Sequence, residues 1–135
     1  MPQVVVEYSS NIAADADIAT LVKLIARTIE SKGVFQVAAI KVRAIGYEDF
    51  VVADDDPRNA FVSINVTVAK GRPEDGKRLT FDAVFEAVKA HLRPVDERWI
   101  LALSMDVGEF GDRLAYKQNR LHEKFGTKPF AATVS

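Results

Sequence analysis

Pro2, Lys41, Arg43 and Arg72 are the residues through which this chain can be read as doing chemistry. The chain opens Met1-Pro2-Gln3-Val4-Val5-Val6-Glu7. Proline is small enough at position two for the initiator Met1 to be removed, which would leave Pro2 as a secondary amine heading an apolar run. An ordinary α-amino group has a pKa of about 7.7–8.0. Burial and nearby cations both disfavour its protonated form and lower that value. A base titrating near operating pH is what general acid–base catalysis requires. Met-Pro alone is a weak signal, since it heads many unrelated proteins. Retained Met1 would acylate the nitrogen and abolish its lone pair.

The cations admit two readings each. Lys41 and Arg43 stand two apart on a predicted strand and share one face. They are either charges that protect an exposed edge from aggregation or a clamp for a carboxylate. Arg72 lies in Lys70-Gly71-Arg72-Pro73, between a strand and a helix. Solvated, it would oppose the helix dipole at a cost of about a few tenths of a kcal/mol. Alternatively, arginine and helix N-terminus converge on one carboxylate. His91 and His122 have no spaced partners, and His91 falls near a helix end that suits a surface histidine. No Ser-His-Asp set, HExxH or glycine-rich phosphate loop is present.

The elements that must hold these residues come in a repeat. Val4-Val5-Val6 reads as a buried strand, and Ser9-Ser10-Asn11 offers side chains that cap a helix. Ile18, Leu21, Val22, Ile25 and Ile29 recur at helical spacing before Gly33, a natural C-terminal cap. A strand over 37–44 follows, with Ile40 and Val42 on one face and Lys41 and Arg43 on the other. The order then returns. Ala60, Val62, Ile64, Val66 and Val68 alternate with more polar neighbours, and Pro73 suits a helix start. Phe81, Val84, Phe85, Val88 and Leu92 form an apolar stripe, Pro94 is expected to end the helix, and 99–107 supplies another strand. Trp99 reads as core or interface.

This pattern predicts an α+β fold: two β-α-β repeats, each a parallel crossover, in a mixed four- to five-stranded sheet with two helices on one face. The fifth strand would be an edge strand over 47–52, and 116–125 reads as a short helix. The strand at 99–107 is predicted to be apolar on both sides, so another copy of the chain would cover the open face.

Composition narrows the function classes. At 135 residues the chain is expected to be a single domain over 1–135, burying roughly two-thirds of its unfolded surface. Apolar residues make up 48% and charged residues 27%, as in soluble globular proteins. A net charge of -1 argues against nucleic acid or an anionic membrane as a partner. The absence of cysteine excludes disulfides, thiolate zinc sites and thiol nucleophiles. No targeting segment or membrane-length apolar run is present, so the cytoplasm is the default location. No motif for a metal or cofactor occurs, and none is expected.

In this order the residues resemble the tautomerase superfamily, and within it the 5-carboxymethyl-2-hydroxymuconate delta-isomerase family. The likeness runs through Pro2 with Val4-Val5-Val6-Glu7, Ser10-Asn11-Ile12, Gly33-Val34-Phe35, Ile40-Lys41-Val42-Arg43, Ala60-Phe61-Val62, Gly71-Arg72, Leu101-Ala102-Leu103-Ser104 and Lys117-Gln118-Asn119. The resemblance implies a homotrimer that covers the open sheet faces. It also implies a cofactor-free isomerase of aromatic catabolism, of the homoprotocatechuate type. Such enzymes use the amino-terminal proline to move a proton between an enol oxygen and a carbon of an unsaturated keto acid.

By that resemblance Pro2 is the catalytic proline, and Arg72 binds a small-molecule carboxylate substrate. The family's Ile-Arg-x-Arg motif appears as Ile40-Lys41-Val42-Arg43, so lysine keeps a charge but loses the planar fork. Ile45-Gly46 stands where an isomerase of that family has His-Trp. Both departures bear on the substrate more than on the chemistry. Two other readings remain at this level. One is a superfamily hydratase, decarboxylase or dehalogenase with a protonated proline, and the other is a non-catalytic trimer of the same fold.

Overall fold

The repeated pattern folds as two β-α-β units joined back to back. The computed structural model describes residues 2–126. In chain order these form β1 (Gln3–Ser9), α1 (Ala13–Ala16), α2 (Ile18–Lys32), β2 (Lys41–Tyr47), β3 (Asn59–Val68), α3 (Glu74–Arg98), β4 (Ile100–Glu109) and α4 (Leu121–Phe125). The sheet order is β2-β1-β3-β4. β1 runs parallel to β2, and β3 runs parallel to β4. The two units meet where β1 and β3 pair antiparallel, with Gln3 opposite Thr67.

Alternation along the strands decides which face is core. Val4 and Val6 of β1 are fully buried, as are Val62 and Val68 of β3. They meet Leu21, Ile25 and Ile29 of α2 and Phe81, Val84, Val88 and Leu92 of α3 in one cluster. Each such side chain contributes about 1.5–3 kcal/mol by leaving water. Gly33 closes α2 in the left-handed region, at φ 69°, which favours a residue without Cβ.

The elements depart from the pattern in five places. The cap of α2 is Asp17, whose carboxylate accepts from the Thr20 N–H at 3.4 Å. Ser9 and Asn11 are occupied across the sheet instead. The Ser9 hydroxyl accepts from the Phe61 N–H at 3.0 Å, and the Asn11 amide donates to the Asn59 carbonyl at 2.9 Å. Residues Val37–Ala39 form a 3-10 turn, so β2 begins only at Lys41.

Pro94 does not end α3, which runs on to Arg98. A helix-interior proline is costly, but burial of Val95 and its bond from the Trp99 N–H at 2.8 Å sustain the last turn. Residues 48–58 form no strand, and the sheet has four strands rather than five. The C-terminal helix is confined to Leu121–Phe125.

The outer face of the sheet also differs from expectation. On β4 it carries Ile100, Ala102, Ser104 and Asp106, so that strand does show water a polar face. Apolar groups gather instead at one end of the outer face. Ile45 and Ile100 are about half exposed there, and Phe61 packs against Tyr47 and Phe50 with centroids 6.4 and 6.2 Å apart. The Tyr47 hydroxyl donates to Glu7, a bond that raises its pKa. No helix among the described residues is long and apolar enough to cross a membrane.

Candidate active site

Pro2 sits where an interior strand begins. β1 lies between β2 and β3, so the proline is flanked on both sides by backbone. Its carbonyl accepts from the Lys41 N–H at 3.2 Å, and the residue is buried. It shares the alternation of Val4 and Val6 and therefore leans toward the helical layer. A neutral amine fits such a position better than an ammonium, because desolvation penalises charge.

The register brings a cation to the same end of the sheet. With Gln3 opposite Thr67, the last residues of β3 pass alongside Pro2. The chain leaves β3 through Ala69 and Lys70 and turns at Gly71, whose φ is 90°. It then presents Arg72 immediately before α3. Gly71 has open space around its missing Cβ, so the turn needs glycine for its backbone conformation alone.

Arg72 is buried, with only 7% of its surface exposed, and the solvated reading is therefore wrong. Its guanidinium lies 4.6 Å from the Phe35 ring centroid, and Nη1 donates to the Val34 carbonyl at 3.3 Å. Phe35 in turn packs on Phe81 of α3 at 5.7 Å. Burial lowers the Arg72 pKa, though a guanidinium stays protonated at any ordinary pH. The fold thus holds a partly desolvated, ring-supported cation at the N-terminal end of a helix.

Lys41 and Arg43 lie on β2, which is an edge strand of the protomer, and both are exposed on the outer face. The edge-protection reading and the clamp reading both survive this placement. Lys41 is tied to Pro2 through its backbone, and Arg43 Nη1 donates to Gln3 Oε1 at 2.9 Å. Pro2, Lys41 and Arg72 all belong to one end of the sheet, Pro2 and Arg72 on the side of the helical layer and Lys41 on the outer face, with Arg43 a further step along that face.

Some site features escaped the sequence. After β4 the chain folds back over this end of the sheet. The Phe110 N–H donates to the Val68 carbonyl at 3.0 Å, and the Asn119 amide donates to the Ala38 carbonyl at 2.9 Å. Arg113 comes with it, its guanidinium 3.8 Å from the Phe110 ring centroid. The only local signal for Arg113 was its spacing of three from an aromatic residue. His91 is structural, with Nε2 2.8 Å from the Ala16 carbonyl oxygen. The Trp99 indole packs against the core and donates to Asp15 at 2.9 Å. No cluster of His, Asp and Glu among the described residues is arranged to hold a metal ion.

The sheet order and the proline-headed interior strand define a tautomerase-fold protein. A fused 4-OT protein described as a symmetric trimer superposes with a TM-score of 0.58 at 19% identity, covering 87% of this chain and 95% of that one. A crystal structure of a 5-carboxymethyl-2-hydroxymuconate isomerase from Deinococcus radiodurans R1 is far closer. Its TM-score is 0.86 at 27% identity, over 92% of this chain and 93% of that one. In sequence, the chain is 30% identical to the Escherichia coli 5-carboxymethyl-2-hydroxymuconate Delta-isomerase, across 93% of this chain and 99% of the relative. The chain is an isomerase belonging to the 5-carboxymethyl-2-hydroxymuconate isomerase family, whose model matches residues 2–125.

Proposed function

We propose that the secondary amine of Pro2, freed by removal of Met1, is the base of a cofactor-free keto–enol isomerisation. The substrate is an unsaturated 2-hydroxy dicarboxylate or tricarboxylate of the 5-carboxymethyl-2-hydroxymuconate class. The amine takes the enol proton as the carbonyl forms and the double bonds shift. It then returns the proton to carbon, so atoms balance and no oxidant or reductant is needed. Arg72 holds one carboxylate, and Lys41 or Arg43 a second. These cations also favour the neutral amine before reaction. The observation that carries the reading is the burial of Pro2 at the end of the sheet where Arg72 is also buried.

A protonated proline, as a hydratase, decarboxylase or dehalogenase would use it, is disfavoured by the same burial. Progress curves for ketonisation of 5-carboxymethyl-2-hydroxymuconate, with purified protein whose intact mass shows Met1 removed, test the assignment. No ketonisation by such protein would set it aside.

Lysine at position 41 gives a more specific expectation. Lys41→Arg should leave kcat/KM for this substrate within about threefold of wild type or raise it, because a fork replaces a point charge. A loss beyond tenfold would mean that Lys41 has a role arginine cannot fill.

The assembly we propose is a homotrimer. The apolar end of the outer face, around Ile45, Tyr47, Phe61 and Ile100, is the surface that neighbours would cover. The fused 4-OT neighbour, described as a symmetric trimer, supports this reading. Sedimentation velocity should give a trimer at micromolar concentration. A stable monomer there would refute the assembly.

A further inference from the structure

The segment that folds back after β4 borders an open groove of about 520 Å³ on the outer face of the sheet, and Arg113, Leu114, Tyr116 and Lys117 are exposed along it. Its floor includes Gln3, Asn65 and Thr67, and its cations are Arg43, Arg113 and Lys117. No carboxylate lines it among the described residues. Of the neighbouring acids, Glu7 accepts from Tyr47 and Asn65, Asp112 pairs with Lys70 at 2.9 Å, and Asp106 stands opposite Asn65 on the same outer face without entering the lining.

Two of the cations are already held in place. Arg43 is fixed by Gln3 at 2.9 Å, and Arg113 lies over Phe110 at 3.8 Å. Such preorganisation reduces the ordering that a ligand must impose. The cavity lies at the same end of the sheet as Pro2 but on its outer face, so a ligand that also reached Arg72 would pass over the sheet end beside Pro2. Gln3 follows Pro2 directly, and the Phe110 backbone bonds to Val68 at the end of β3. Its volume falls within the range of about 300–1,000 Å³ typical of small-ligand sites.

We infer that this cavity is a second carboxylate pocket, in which Arg113 and Lys117 join Arg43 to select substrates bearing an additional carboxylate. The inference rests on the reading of Pro2 as base toward a polycarboxylate. It assigns Arg113 and Lys117 to specificity, not to proton transfer. One muconate carboxylate goes to Arg72, and the carboxymethyl arm enters the cation-lined cavity.

The experiment compares wild type with Arg113→Ala, Lys117→Ala and the double variant. The substrates are 5-carboxymethyl-2-hydroxymuconate, with three carboxylates, and 2-hydroxypenta-2,4-dienoate, with one. The ratio of their kcat/KM values should fall by at least about tenfold in the double variant, mainly through KM for the tricarboxylate, as expected for loss of charge-assisted bonds. An unchanged ratio overturns the pocket, even where both activities decline together.

Calorimetry with tricarballylate provides an arm independent of turnover. Binding should persist in Pro2→Ala and be lost in the Arg113→Ala/Lys117→Ala double variant. That result supports the pocket even if the proline reading fails. No binding to wild type overturns the pocket and leaves the proline reading standing.

Discussion

Pro2→Ala, with Met1 removed, should lose at least ~100-fold in kcat/KM toward 2-hydroxymuconate-type substrates, the scale of positioned acid–base catalysis. That factor corresponds to about 2.7 kcal/mol of transition-state stabilisation. Alanine still offers a terminal amine, but it is primary and free to rotate, whereas the pyrrolidine ring fixes the direction of the lone pair. The backbone bond from Lys41 to the residue-2 carbonyl does not depend on the side chain, so the strand should remain in place. Because the base acts in the transition state, kcat should fall together with kcat/KM. Wild-type-like turnover in the alanine variant would remove Pro2 from the mechanism.

Arg72→Ala should weaken transition-state binding by ~2–4 kcal/mol, because a desolvated substrate carboxylate is left without its partner. Arg72 also bonds the Val34 carbonyl and lies over the Phe35 ring, so stability must be followed alongside kinetics. Arg72→Lys separates the two roles. It retains charge and loses the fork, and its kcat/KM should fall between wild type and alanine. Arg72 stays protonated throughout the neutral range, so the pH dependence of kcat/KM there belongs to Pro2 rather than to this cation. A kinetically silent Arg72→Ala, paired with an inactive Lys41→Ala, would reverse the roles assigned to the cations.

The scaffold was legible because its signals are local and repeated. The stripe Leu21, Ile25, Ile29 and the capping Gly33 are each set by neighbours within a turn or two. The alternation of 60–68 sorts core from surface on its own. Features decided by distant partners were not legible. Ser9 and Asn11 lose their capping role to Phe61 and Asn59 across the sheet. Pro94 stays inside a helix because Val95 is drawn into the core. The outer face was misjudged because a run rich in leucine conceals the parity that places Ser104 and Asp106 together.

The site divides along the same line. Pro2 announces itself by position, and the Ile40-Lys41-Val42-Arg43 and Gly71-Arg72 stretches by resemblance. The burial of Arg72 depends on Phe35, far away in sequence, and could not be read locally. Arg113 entered only with the fold-back of the chain after β4, a tertiary event that leaves no periodic trace.

The central claim is that a free, neutral Pro2 amine exists and acts as the base. Titration of the Pro2 nitrogen by 15N NMR, in protein labelled with [15N]proline, tests it most directly. The account predicts a signal titrating below the ordinary α-amino range of about 7.7–8.0, at the same pH as the acidic limb of kcat/KM. A nitrogen that does not titrate because Met1 still acylates it, or one with a pKa well above neutral, would contradict the account.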